Sequence, residues 1–245
     1  MALGGVGPVL GEDVEAVLLD GLGTLVALEP PRLSLTTQLR ENYGLELALA
    51  DAERAFRAEM AYYRAHHHEA RDRDTLDALR RRCAEVLGTH LPAEVARALS
   101  LAQLTAAMLE ALRFSAYPDA APALRALRAG GLGLLVVSNW DISLPAVLCG
   151  VGLEELVDGV VTSARVGSPK PEGAIFAAAL TITRTAPGRT VHVGDSVAHD
   201  VLGALAAGIR PVLLCRDAPE LPSPRELEVP PPGVPVISSL EGLLA

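Results

Sequence analysis

Aromatic residues, lysine and cysteine are scarce in this sequence. Only 3% of the 245 residues are Phe, Trp or Tyr, while half are hydrophobic. Any core must therefore be built from Leu, Val and Ala, and the chain is long enough to bury a sizeable one. At about 150 residues per domain it accommodates one or two domains. The three cysteines, Cys83, Cys149 and Cys215, are odd in number and scattered. They offer no disulfide framework and no metal-type spacing. The first residues carry no Arg or Lys ahead of their apolar stretch, unlike a signal peptide. No apolar run is long enough to span a bilayer. A reducing cytoplasm is the expected location. The net charge of -9 argues against a nucleic-acid partner, which requires a basic face, and against an anionic membrane surface.

Lysine is the most uneven absence. Of the 21 basic residues, twenty are Arg and one is Lys170. A single surviving lysine suggests a tight pocket that takes a compact ammonium and not a planar guanidinium. An Arg-biased composition would leave one lysine by chance equally well.

The organisation changes twice along the chain. Residues 1–13 read as a loose leader. Residues 14–19 form an apolar run ending in Asp20-Gly21, the pattern of a buried strand followed by a turn. Pro30-Pro31 then breaks the chain. Between about 31 and 113 the sequence is rich in Ala, Leu, Arg and Glu at helical spacing. Helices are expected over 51–68, 72–87 and 92–113, with Asp51 and Asp72 as N-caps and Gly88 as a stop. From 114 onward strands and helices alternate. Asp119 is expected to cap a helix, strands are expected over 132–137, 157–161, 190–193 and 211–214, and helices over 144–151, 175–180 and 198–207. Residues 219–235 read as a Pro-rich loop, after which 236–237 and 240–244 return to the core. Alternation of this kind implies an α/β fold with a doubly wound parallel sheet. The expected domains are a core of 1–30 and 114–245 and a helical domain of 31–113.

Sites in open parallel sheets lie at the carboxyl ends of the strands. Four polar clusters occupy such places: Asp20 to Thr24, Ser138-Asn139, Lys170, and Asp195 to Asp200. In order, VLLDGLGTL, VVSN, GSPKPEGAIF and VGDSVAHDVLGALAAG resemble the four motifs of haloacid dehalogenase-like hydrolases. The phrase Ser138-Asn139-Trp140-Asp141 resembles the branch of that superfamily with a helical cap. The resemblance implies a Rossmann-like core with an inserted α-helical cap and a small-molecule substrate. Asp20 would be the nucleophile, forming a covalent aspartyl intermediate. Ser138 and Asn139 would act on the transferred group, and Lys170 would neutralise charge on nucleophile and substrate. Mg2+ would be held by Asp20, the backbone carbonyl of Leu22 and Asp195, with Asp200 as a further ligand or one step removed. Thr24 would fix the loop carrying Asp20 beside the substrate, and Trp140 and Asp141 would line the pocket. Trp140 could equally seal the contact between the two domains.

One departure bears on function. Phosphatases of the family carry a second Asp two residues after the nucleophile, which protonates the leaving group and later activates water. Here that residue is Leu22. General acid–base help is worth about 10²–10⁴-fold in rate, so three readings follow. The first is a Mg2+-dependent phosphohydrolase acting on a leaving group that needs little protonation. The second is a 2-haloacid dehalogenase, since halide leaves without a proton, although those enzymes need no metal and use an Arg in an aromatic context not found around Arg40, Arg54 or Arg57. The third is a protein that binds phosphate or metal without catalysis. Elsewhere, His66-His67-His68 reads as a solvated helix surface, because three consecutive helical residues point in different directions. Phe56, Tyr62 and Tyr63 read as helical-domain core, and Arg80-Arg81-Arg82 as a solvated face.

Overall fold

The computed structural model describes residues 9–216 and 229–244. Most of the expected leader and residues 219–228 of the Pro-rich loop lie outside the described residues. Leu10, expected within the leader, is buried in the sheet's core.

The chain opens with β1 (Ala16–Leu19) and β2 (Val26–Leu28). Five helices follow: α1 (Pro31–Tyr43), α2 (Leu49–His66), α3 (Arg73–His90), α4 (Ala93–Ala98) and α5 (Leu101–Ala111). The alternating part runs β3 (Phe114–Ala116), α6 (Ala120–Ala129), β4 (Gly133–Ser138), α7 (Leu144–Gly150), β5 (Gly159–Thr162), α8 (Ser163–Val166), α9 (Gly173–Thr183), β6 (Thr190–Gly194), α10 (Leu202–Ala206), β7 (Arg210–Leu214) and β8 (Val236–Ile237).

Six strands pair in the order β5-β4-β1-β6-β7-β8, all parallel. β1 sits at the centre and is wholly buried. Val17 and Leu19 face one apolar cluster and Leu18 the other. That is why AVLL reads as a continuous apolar run and not as an alternation. Register positions the site: Leu19 lies opposite Val136 of β4 and Val193 of β6. The residues following these strands therefore emerge at one level and at one edge.

The helices α1 to α5 enter between β2 and β3, which pair antiparallel from Val26–Ala116 to Leu28–Phe114. They gather an apolar cluster of their own around Leu35, Phe56, Leu79, Leu87 and Met108. Several expected details differ. Pro31 opens α1 at its first position, where its missing N–H is no loss. Ala48, not Asp51, precedes α2, and Asp51 instead pairs with Arg54 at 2.7 Å. Asp72 does cap α3 in a capping box with Thr75. Helix α3 does not stop at Gly88, whose missing side chain lets Leu104 of α5 approach: a Cβ there would lie 2.8 Å from its Cδ2. The single helix expected over 92–113 is two, divided where Ser100 caps α5. Asp119 stands at the N-cap position of α6, but its carboxylate accepts from Arg216, Ser239 and the Leu240 N–H.

Candidate active site

The loop after β1 is wound tightly. The Gly21 carbonyl accepts from the N–H groups of Thr24, Leu25 and Val26, and Gly23 donates to the Val26 carbonyl. Gly23 takes the left-handed region at φ +83°, and any side chain there would collide with the Asp195 carboxylate. Glycine at this position serves both the turn and the close approach of a second acid.

Asp20 Oδ1 accepts from Ser138 Oγ at 2.8 Å and from Lys170 Nζ at 2.6 Å. Lys170 Nζ also donates to Asp200 Oδ1 at 2.6 Å and to the Val137 carbonyl at 3.0 Å. Its three protons are thus all placed, a fit that a guanidinium fork could not make. Lys170 is 2% exposed. Burial disfavours its charged form, but the Asp20 and Asp200 carboxylates outweigh that and hold its pKa above the ordinary lysine value. Asn139 fixes the Lys170 backbone reciprocally: Asn139 Nδ2 donates to the Lys170 carbonyl and the Lys170 N–H donates to Asn139 Oδ1.

Asp200 is fully engaged. Besides Lys170, Oδ1 meets His192 Nε2 at 2.8 Å, and Oδ2 accepts from the Ser196 N–H at 3.0 Å. Burial opposes its charge, yet Lys170 and His192 hold its carboxyl well below the usual carboxylate range. Its side chain lies over Gly194, where any Cβ would collide with it. Asp20, Asp195 and Asp200 each bring a carboxylate oxygen within 4.8 Å of the others. An all-oxygen cluster of this kind, with Gly23 clearing the space around Asp195, fits a hard divalent cation such as Mg2+. Both Asp200 oxygens accept hydrogen bonds from the protein itself.

A cavity of about 970 Å³ extends from this cluster into the helical insert. Leu22, Ser138, Asn139, Trp140, Asp141 and Lys170 line it. Thr24 does not. It is wholly buried behind the loop with its hydroxyl unpartnered, because the Gly21-centred turn directs it inward. Its carbonyl accepts from Arg216. Trp140 lines the cavity and packs on Phe114 of β3, within the sheet's own apolar cluster, with ring centroids 5.3 Å apart.

Sequence reasoning missed several residues. His192 is one, although a lone His in the apolar strand TVHVG is a visible signal. His67 is not solvated. It is buried, with Nδ1 2.9 Å from Ser163 Oγ. That hydroxyl accepts from the Trp140 N–H and also lies 3.0 Å from the Trp140 carbonyl. Phe56 and Tyr62 belong with the insert's core, but Tyr63 lines the cavity and donates to Asp141 Oδ2 at 3.0 Å. Arg80 also reaches the cavity, and Arg82 bonds Glu69 at 2.8 Å, so the arginine triplet is not simply solvated. Glu59, which nothing in the sequence singled out, is buried against the same cavity.

Residues 14–208 match the haloacid dehalogenase-like hydrolase family. Haloacid dehalogenase-like hydrolase domain-containing protein 3 of Bos taurus is 42% identical over 103 residues, covering 42% of this chain and 41% of that protein. A phosphoserine phosphatase of Thermus thermophilus is 37% identical over 108 residues, covering 44% of this chain and 43% of that protein. The aligned segments span less than half of either relative. Among solved structures, L-2-haloacid dehalogenase from Xanthobacter autotrophicus superposes with a TM-score of 0.66 at 21% identity, covering 94% of this chain and 97% of that one. That likeness speaks for the fold alone. No helix among the described residues is long and apolar enough to cross a membrane. By its matched sequence and its α/β fold with a helical insert, the chain belongs to the haloacid dehalogenase-like hydrolases.

Proposed function

We propose that this protein is a Mg2+-dependent phosphohydrolase acting on a small phosphorylated metabolite, with Asp20 as nucleophile. The observation that carries this reading is the double hold on Asp20 Oδ1 by Ser138 and Lys170 beside a cluster of acids. Both bonds fall on one oxygen, which leaves Oδ2 to attack phosphorus. The phosphatase named among the relatives supports the same chemistry.

In this reading Asp20 and Asp195, with the Leu22 carbonyl, hold the ion, which when bound neutralises phosphate charge. The Leu22 carbonyl takes no part in the hydrogen bonds that close its loop. Attack by Asp20 Oδ2 forms an acyl phosphate and releases the leaving-group oxygen with its electron pair. Water then cleaves the acyl phosphate and regenerates Asp20. Lys170 offsets charge on Asp20 throughout, and Ser138 orients the carboxylate. Leu22 can donate no proton, so the reading favours leaving groups that depart as stable anions. The helices of 31–113 serve as a cap that shelters the cavity and selects the leaving group. A reducing cytoplasm suits the three free cysteines.

The test assays the purified protein with Mg2+ on acetyl phosphate and nitrophenyl phosphate, and without metal on 2-chloropropionate. Acetyl phosphate should be the better substrate, EDTA should abolish turnover, and Asp20→Asn should reduce it to background. Metal-free chloride release with both phosphates inert would overturn the proposal in favour of a dehalogenase. No turnover at all, with Mg2+ raising the melting temperature only while Asp195 is intact, would mark a binding protein.

A further inference from the structure

Among the residues of the helical insert that line the cavity is a carboxyl group that the proposed hydrolysis does not use. Glu59 on α2 is 3% exposed and lines the cavity, and its Oε2 has no hydrogen-bond partner. The wall around it is apolar, with Met60, Leu79, Met108 and Leu112. A buried, unpaired carboxylate oxygen carries its full desolvation penalty. A residue that only filled space on this helix would be Leu or Met.

The neighbouring polar groups cannot satisfy that oxygen. The Cys83 thiol on α3 is the one group, besides burial, that acts on the Glu59 carboxyl, and it bonds there only weakly. Glu59, Tyr63 and Asp141 line the same cavity, but the Tyr63 hydroxyl is committed to Asp141 Oδ2. Asp141 Oδ1 accepts from the Ser143 N–H at 2.6 Å. Arg80 reaches the cavity but turns toward Asp77. Among the described residues neither Glu59 nor Asp141 forms an ion pair, and Lys170 is held by Asp20 and Asp200.

We propose that Glu59 makes this part of the cavity a subsite for an ammonium group, so that the substrate is a phosphate compound whose leaving group bears an amine beyond an apolar spacer. An ammonium supplies the donor that Oε2 lacks and brings the positive charge that two acids lining one cavity favour. Glu59 is thereby a specificity-determining residue and touches none of the reacting atoms. Burial pushes the carboxyl up to about 7, so the test is made above that pH. As a choice of substrate class, this inference rests on the phosphohydrolase reading, but the subsite can be tested without turnover.

The experiment measures, by calorimetry in Mg2+ at pH 8, the Kd of aminohexyl, hydroxyhexyl and hexyl phosphate for the wild type and for Glu59→Gln. In the wild type the amine should bind about tenfold tighter than either of the others, the ratio expected of one charge-assisted hydrogen bond. In Glu59→Gln, which keeps the side chain's size, the three should agree within about twofold. Equal affinity for amine and alcohol in the wild type, or a preference that survives Glu59→Gln, would overturn the subsite. Hydrolysis of acetyl phosphate by the wild type is followed in parallel. Turnover without amine preference refutes the subsite and leaves the hydrolase reading standing. Amine preference without turnover does the reverse.

Discussion

At position 22 the side chain is half-buried, packs against the sheet's apolar cluster and lines the cavity two residues from Asp20. A carboxyl group placed there would face the space where a leaving group departs, with enough exposure to remain titratable. Leu22→Asp should therefore raise kcat on nitrophenyl phosphate by about 10²-fold, the low end of general acid–base assistance. It should change acetyl phosphate turnover little, because that leaving group needs no proton. Continuous assays on the two substrates read the contrast; an equal or absent gain would mean that this loop does not present position 22 to the chemistry. The lone lysine belongs to the same scale. Its placement followed from composition and motif order, as did those of Asp20, Ser138, Asp195 and Asp200, because each follows a strand or loop at the sheet's carboxyl edge. Glu59 and His67 could not be placed that way. Which turn of α2 faces the cavity depends on how the insert docks, and that is a tertiary fact no local pattern encodes.

Among the elements, the strands were readable and the helix ends were not. Apolar runs such as AVLL and GLLVVS declare buried parallel strands, and their order fixes which polar residues share an edge. The helix boundaries moved for local reasons: Pro31 starts a helix, Gly88 is a packing contact, and Ser100 divides one expected helix into two. The last was visible, since Ser100 with Gln103 has capping-box spacing. Ser100 Oγ accepts from the Gln103 N–H at 3.3 Å, and Gln103 Oε1 accepts from the Ser100 N–H at 2.9 Å. The helix that follows carries Leu104 and Met108 into the insert's core. Ser100→Ala should lower stability by about 1 kcal/mol, the usual value of an N-cap. Urea unfolding would show a lower midpoint with an unchanged slope; no shift would mean that the box contributes nothing here.

Across the whole molecule, polar contacts join the insert to the sheet at several described residues. Tyr63 donates to Asp141, the Ile142 N–H donates to the Ala70 carbonyl at 3.3 Å, and His67 meets Ser163. The last contact is sensitive to pH. Burial, together with the charges of His68, His199 and Lys170, lowers the His67 pKa from 6.5 to about 4. In the unfolded chain the imidazole takes up a proton below about 6.5, while the folded protein refuses it until about 4. The unfolded state therefore binds more protons across that window. Stability that is fully present above pH 6.5 must fall as the pH drops toward 4. Carboxylates add losses of their own at the acid end, so the diagnostic is a difference between variants. His67→Gln should flatten the decline between pH 6.5 and 4, whereas His90→Gln, at an exposed site, should not. Trp140, the sole tryptophan, is bonded through Ser163 to this contact, so its emission reports unfolding at the junction itself. If wild type and His67→Gln lose stability in parallel over that range, the histidine does not couple docking of the insert to pH.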